Sequence, residues 1–139
     1  MRTRLIVVLL VTALVALPAR GVALESPSRT SGAELASAAS GLDGMPITLE
    51  GEVISEVLAG GPGHVWVNVL SEGVAIGIWA PAELAGDLEV FGTWSHTGDR
   101  VLVTGAFHEA CDDHGGDLDV HADSIVLLER GTERDHPVS

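Results

Sequence analysis

The sequence predicts an all-β protein, a small five-stranded Greek-key barrel with one short helical turn between its third and fourth strands. Three observations predict it. From Pro46 to Arg130, apolar and polar residues alternate with a period near two, and helical periodicity is almost absent. Turn chemistry interrupts that alternation at Ala59-Gly60-Gly61-Pro62-Gly63, at Ser71-Glu72-Gly73 and between Cys111 and Asp117. The 139 residues are 46% hydrophobic but only 4% aromatic, which suits one compact Val/Ile/Leu core and is too little chain for two ordinary domains.

The first element lies outside the barrel. Arg2 and Arg4 precede a thirteen-residue apolar run, Leu5 to Leu17, closed by Pro18, so residues 1–23 read as a signal peptide or an N-terminal anchor. The run is shorter than the roughly twenty residues that span a bilayer, which favours cleavage, and no Cys follows it to carry a lipid. The remainder is then expected in an extracytoplasmic, oxidising compartment, secreted or associated with the cell envelope, with membrane contact only through an uncleaved leader. Cys111, the sole cysteine, has no internal disulfide partner there. Residues 24–45, rich in Ser, Ala and Gly, read as a flexible linker, residues 46–130 as the barrel, and residues 131–139 as a disordered acidic tail.

Each barrel element has its own signal. Ile47 to Leu58 alternates and contains Gly51, a place for the strand to bend around a small barrel. His64 to Leu70 and Val74 to Trp79 flank a two-residue turn at Glu72-Gly73, which sets Val69 against Ile76, Val67 against Ile78 and Trp66 against Trp79. Pro81 to Leu88 reads as the helical turn, with Pro81 at its first position. Arg100 to Glu109 and Leu118 to Glu129 form the last hairpin. This order is that of the oligonucleotide/oligosaccharide-binding (OB) fold; an SH3-like barrel or open meander shares the strand count but not the position of the helix.

The segments Gly51-Glu52-Val53-Ile54, Val65-Trp66-Val67-Asn68-Val69, Ala75-Ile76-Gly77-Ile78-Trp79 and Gly98-Asp99-Arg100-Val101-Leu102-Val103-Thr104-Gly105 resemble the strands of short exported bacterial OB-fold proteins described as nucleic-acid-binding-like. The resemblance covers Ile47 to Leu128 and implies the fold. A more distant likeness is to the OB-fold haem chaperones of cytochrome c maturation. Their haem-binding His lies in a C-terminal His-x-x-x-Tyr motif, and this chain has no Tyr.

Charge narrows the function. All seven basic residues are Arg, three of them in the leader, so the trimmed chain opposes four arginines to twenty carboxylates. Such a surface repels phosphate backbones and favours cations, which counts against general nucleic-acid binding. The stretch Phe107 to His121 holds three of the six histidines and the only thiol. Closing the hairpin symmetrically about His114 and Gly115 sets His108 opposite His121, with Asp119 on the same face, while Phe107, Leu118 and Val120 turn inward. Cys111 and His114 sit at the tip, where Gly115-Gly116 lets them fold back.

His108, Cys111, His114 and His121 are therefore the candidate metal ligands, for Zn or Cu first and haem iron behind them, with Asp112, Asp113, Asp117 and Asp119 orienting ring N–H groups from behind. The competing reading is a polar hairpin whose histidines cap strand ends around a small buried Cys. Trp66 and Trp79 form an alternative site, an aromatic face on which single-stranded nucleic acid or oligosaccharide could stack, and a protein partner adding a strand is a further alternative. No nucleophile elbow or comparable catalytic signature occurs, so the expected protein is a binding module and not an enzyme.

Overall fold

The computed structural model describes residue 21, residues 26–37 and residues 41–135. The leader read as signal peptide or anchor lies almost wholly outside these residues, and no helix among those described is long and apolar enough to cross a membrane.

The protein is all-β. Five long strands carry it: β2 (Pro46–Ala59), β3 (His64–Ser71), β4 (Val74–Pro81), β6 (Arg100–Cys111) and β7 (Asp117–Glu129). Three short strands are additional to the five expected: β1 (Ser28–Thr30), β5 (His96–Thr97) and β8 (Thr132–Glu133). The main sheet has six strands in the order β1-β2-β3-β4-β7-β6, and β2 also pairs with β6, which closes the five long strands on themselves. The sheet is mixed, because β4 and β7 run parallel while the other long pairs are antiparallel. The sequence missed the extra strands because two or three residues are too short to show a period.

Local chemistry explains the closure. β2 pairs with β6 over Pro46–Glu52 and with β3 from Glu52 onward, so the strand changes neighbours at Gly51 and Glu52. A Cβ at Gly51 would run into the Leu70 carbonyl and the Val69 side chain, so the close approach of β3 requires glycine there. The β3–β4 hairpin has the register that the two-residue turn dictates, with Val67 opposite Ile78 and Trp66 opposite Trp79. Glu72 and Gly73 have φ of 47° and 79°, the left-handed pair of a type I′ turn. A 3-10 turn over Ala82–Ala85 follows, entered from Pro81, which has a strand-like ψ of 136° and precedes the turn where the sequence had placed it first inside.

The interior enclosed by these strands is mainly Val and Ile, with Leu49, Ala80 and one aromatic, Phe107, all excluded from solvent. Leu35 belongs to this core at 1% exposure. Residues 28–35, inside the stretch read as a flexible linker, are therefore docked: β1 pairs with β2, and Ser31 caps the helical turn α1 (Gly32–Leu35) by accepting from the Glu34 N–H. One buried leucine outweighs the low-complexity composition around it. The start of the expected tail is likewise engaged, since β8 pairs with β5 and the Gly131 N–H donates to Asp99.

Asp99 ties the end of the barrel remote from the β6–β7 tip. Its buried carboxylate accepts from the N–H groups of Glu89, Val90 and Gly131 and from Arg130. Burial pushes its pKa upward, but these three N–H groups and Arg130 outweigh it and hold the carboxyl below the usual range.

Candidate metal centre

The tip between β6 and β7 places the site. Cys111 ends β6, residues Asp112–His114 make one 3-10 turn, and Gly115 and Gly116 have φ of 73° and 83°, which reverse the chain into β7. An irregularity at His108/Cys111 shifts the ladder next to the tip, so His108 faces Asp119 and Ala106 faces His121. The symmetric closure expected from the sequence set His108 against His121 and is corrected here by two residues. An even shift preserves the face to which each side chain points. Phe107 and Val120 therefore still pair inside, while His108, Asp119 and His121 share the other side. Leu118 is only partly buried and packs at the core's edge.

The four residues singled out by sequence, His108, Cys111, His114 and His121, are brought together, and Asp119 joins them. One donor atom each from His108, Cys111, Asp119 and His121 lies within 4.8 Å of the others. Cys111 Sγ is 3.4 Å from His121 Nε2 and 3.5 Å from His114 Nδ1. His108 Nδ1 is 3.2 Å from Asp119 Oδ1, and His114 Nδ1 is 2.5 Å from Asp119 Oδ2. Cys111 and Asp119 form the closed floor at 3% and 1% exposure, and the three imidazoles form a half-buried wall.

Sequence reasoning gave Asp119 a supporting role, but the structure puts its carboxylate among the donors. The signal was present: Asp119 shares parity with His121, and the tip folds over both. The other acidic residues of the tip, Asp112, Asp113 and Asp117, are exposed. The second sequence-derived site merges with the first. The parallel β4–β7 seam aligns Trp79 with His121 and Gly77 with Asp119. The Trp79 ring centroid is 4.8 Å from that of His121, and Trp66 meets His114 edge-on at 4.7 Å. His64, which the sequence did not single out, stacks flat on Trp79 at 3.8 Å, and the Trp79 N–H donates to the Gly60 carbonyl. His64 lies two residues before Trp66 on the same strand, so parity alone would have found it.

Electrostatics separate this cluster from an ordinary polar hairpin. The ion-pair partners of the buried Asp119 carboxylate are all histidines, and no Arg approaches it among the described residues. Burial lowers the pKa of His121, Asp119 pulls it back up, and the neighbouring His108 and His114 leave it lowered overall. Burial raises the Cys111 thiol, and Asp119 adds to the rise against the opposing N–H groups of Asp113 and His114.

No known family profile matches the chain, and no curated protein matches it. Among solved structures, an OBody bound to hen egg-white lysozyme is similar over 76% of this chain and 99% of its own, at 19% identity and a TM-score of 0.53. Asparaginyl-tRNA synthetase from Pyrococcus horikoshii complexed with asparaginyl-adenylate is similar over 64% of this chain at 15% identity, with a TM-score of 0.48. This chain spans 20% of that synthetase. The OBody likeness bears on the fold alone.

Proposed function

We propose that this protein is an exported, non-enzymatic OB-type binding module that holds a transition-metal ion through His108, Cys111, Asp119 and His121. One observation carries the reading: a buried carboxylate and a buried thiol face half-buried imidazoles, with four donor atoms inside a 4.8 Å span. A buried carboxylate needs positive charge nearby. Burial favours the neutral, ligating form of His121, and a bound cation would supply the positive charge beside Asp119.

Two imidazole nitrogens, one thiolate and one carboxylate oxygen make a borderline donor set suited to Zn or Cu, and not to the hard, oxygen-seeking Ca or Mg. Haem fits less well, because its iron already carries four equatorial nitrogens and takes two protein donors at most. The strand order and the likeness to the OBody support the OB assignment. The leader motif supports export.

Native mass spectrometry of the full chain tests the reading after reconstitution with Zn or Cu. One equivalent should be retained by the parent protein and lost in the His108→Ala/His121→Ala variant. A parent protein that stays metal-free with both ions refutes it.

A further inference from the structure

The five donors do not hold equivalent positions. His108, Asp119 and His121 are fixed in paired strands, and Cys111 is the last paired residue of β6. His114 stands on the 3-10 turn, outside the paired strands, and is followed at once by two glycines with positive φ, so its place, unlike theirs, is not set by a strand ladder. The four remaining donors keep their 4.8 Å span without it.

His114 also borders an open groove of about 620 Å³, whose other walls are Trp66, Gly77, Asp117 and Leu118. That volume suits a small ligand. Gly77 is the telling residue. A Cβ there would stand 3.5 and 3.6 Å from the six-membered ring of Trp66, an ordinary contact, and its φ is not positive. Neither crowding nor backbone conformation requires glycine at this strand position, although glycine weakens a strand. The missing side chain leaves the space against the Trp66 ring to the groove that His114 also lines.

We propose that this groove admits an external nitrogen heterocycle, of the imidazole type, which lies against Trp66, displaces the His114 ring and ligates the ion held by His108, Cys111, Asp119 and His121. The inference rests on the metal-binding reading above. An aromatic wall favours a planar ring, and a metal with imidazole and thiolate ligands favours another nitrogen donor. Asp117 in the lining, the exposed Asp112 and Asp113 nearby and the net charge of −13 disfavour an anionic ligand. The histidine side chain of another polypeptide has the same chemistry as a free heterocycle.

The test titrates the cobalt(II)-loaded full chain with imidazole, following the visible cobalt absorption and the tryptophan emission, with cobalt stoichiometry read by native mass spectrometry. Imidazole should change the cobalt bands saturably with the metal retained, and acetate at equal concentration should not. His114→Ala should bind imidazole more tightly. Gly77→Val and Trp66→Ala should each weaken it about tenfold or more at unchanged cobalt stoichiometry. A short histidine-containing peptide that binds more tightly than imidazole points to a polypeptide source, and one that binds no better points to a free heterocycle. Cobalt bands that ignore imidazole, imidazole that strips the metal, or equal affinity in Gly77→Val overturns the inference while leaving the metal centre standing. If cobalt does not load, the same titration of the zinc- or copper-loaded chain, followed by tryptophan emission, decides the inference, and failure to load any of the three metals overturns both readings.

Discussion

A metal ion bound only by the folded protein raises its melting temperature, and the geometry of the cluster sets how much of that gain depends on His121. At a free metal concentration of 100 times Kd, binding contributes about 2.7 kcal/mol. For a domain of this size, each kcal/mol moves Tm by roughly 4–8 °C, so the gain is about 11–22 °C. His121 Nε2 lies 3.4 Å from Cys111 Sγ and 3.5 Å from Asp119 Oδ2, at the centre of the donor set. Losing groups that merely support a ligand weakens metal affinity by roughly 10–100-fold, so losing the ligand itself should reach at least the upper figure. With the ratio of metal to Kd cut from about 100 to about 1, the metal contributes only about 0.4 kcal/mol, or about 2–3 °C. Circular dichroism melts of the parent and His121→Ala, with and without Zn, measure this difference of differences and cancel any effect on the metal-free fold. A metal-induced gain above 10 °C in the variant, or none in the parent with either Zn or Cu, refutes the reasoning.

Three more outcomes follow from other parts of the molecule. Because burial raises the Cys111 thiol and metal binding needs the thiolate, loading should release protons and tighten as pH rises from 6 to 8; calorimetry in buffers of different ionisation enthalpy reads the released protons, and pH-independent binding argues against a thiolate ligand. Leu35→Ala should cost about 2–5 kcal/mol in chemical denaturation, because a fully buried leucine docks the N-terminal segment on the barrel; a cost under 0.5 kcal/mol means the segment does not dock. Asp99 binds its proton less tightly folded than unfolded, so its ionised form contributes stability above about pH 4, the unfolded value, and this is lost as pH falls through the lower folded value. The stability gap between parent and Asp99→Asn should therefore shrink below about pH 4, and a pH-independent gap contradicts this.

The parts of the fold that were legible in the sequence are those where a period or a turn residue acts over many positions. The β3–β4 hairpin is the clearest case, since Glu72-Gly73 fixes a two-residue turn and the turn fixes every cross-strand pair up to Trp66 and Trp79. The β6–β7 register was less legible, because three separate irregularities shift it and a bulge leaves no mark in apolar alternation. The site survived that error, since an even shift keeps His108, Asp119 and His121 on one face.

Non-local relations were hidden. The parallel β4–β7 seam places Trp79 against His121, although the two are far apart in sequence and no local pattern links them. The merging of the aromatic pair with the histidine cluster, and the place of His64, both depend on that seam. The docking of Leu35 was masked in another way, by the Ser, Ala and Gly surrounding a single apolar residue.

The most direct test is the near-ultraviolet absorption of the cobalt(II)-substituted protein, because a thiolate-to-cobalt charge-transfer band reports the Cys111 sulfur itself at the metal. One equivalent of cobalt should produce the band, and Cys111→Ser should lose it. Cobalt bound without that band, or a band unchanged in Cys111→Ser, would contradict a centre built on the floor of this cluster.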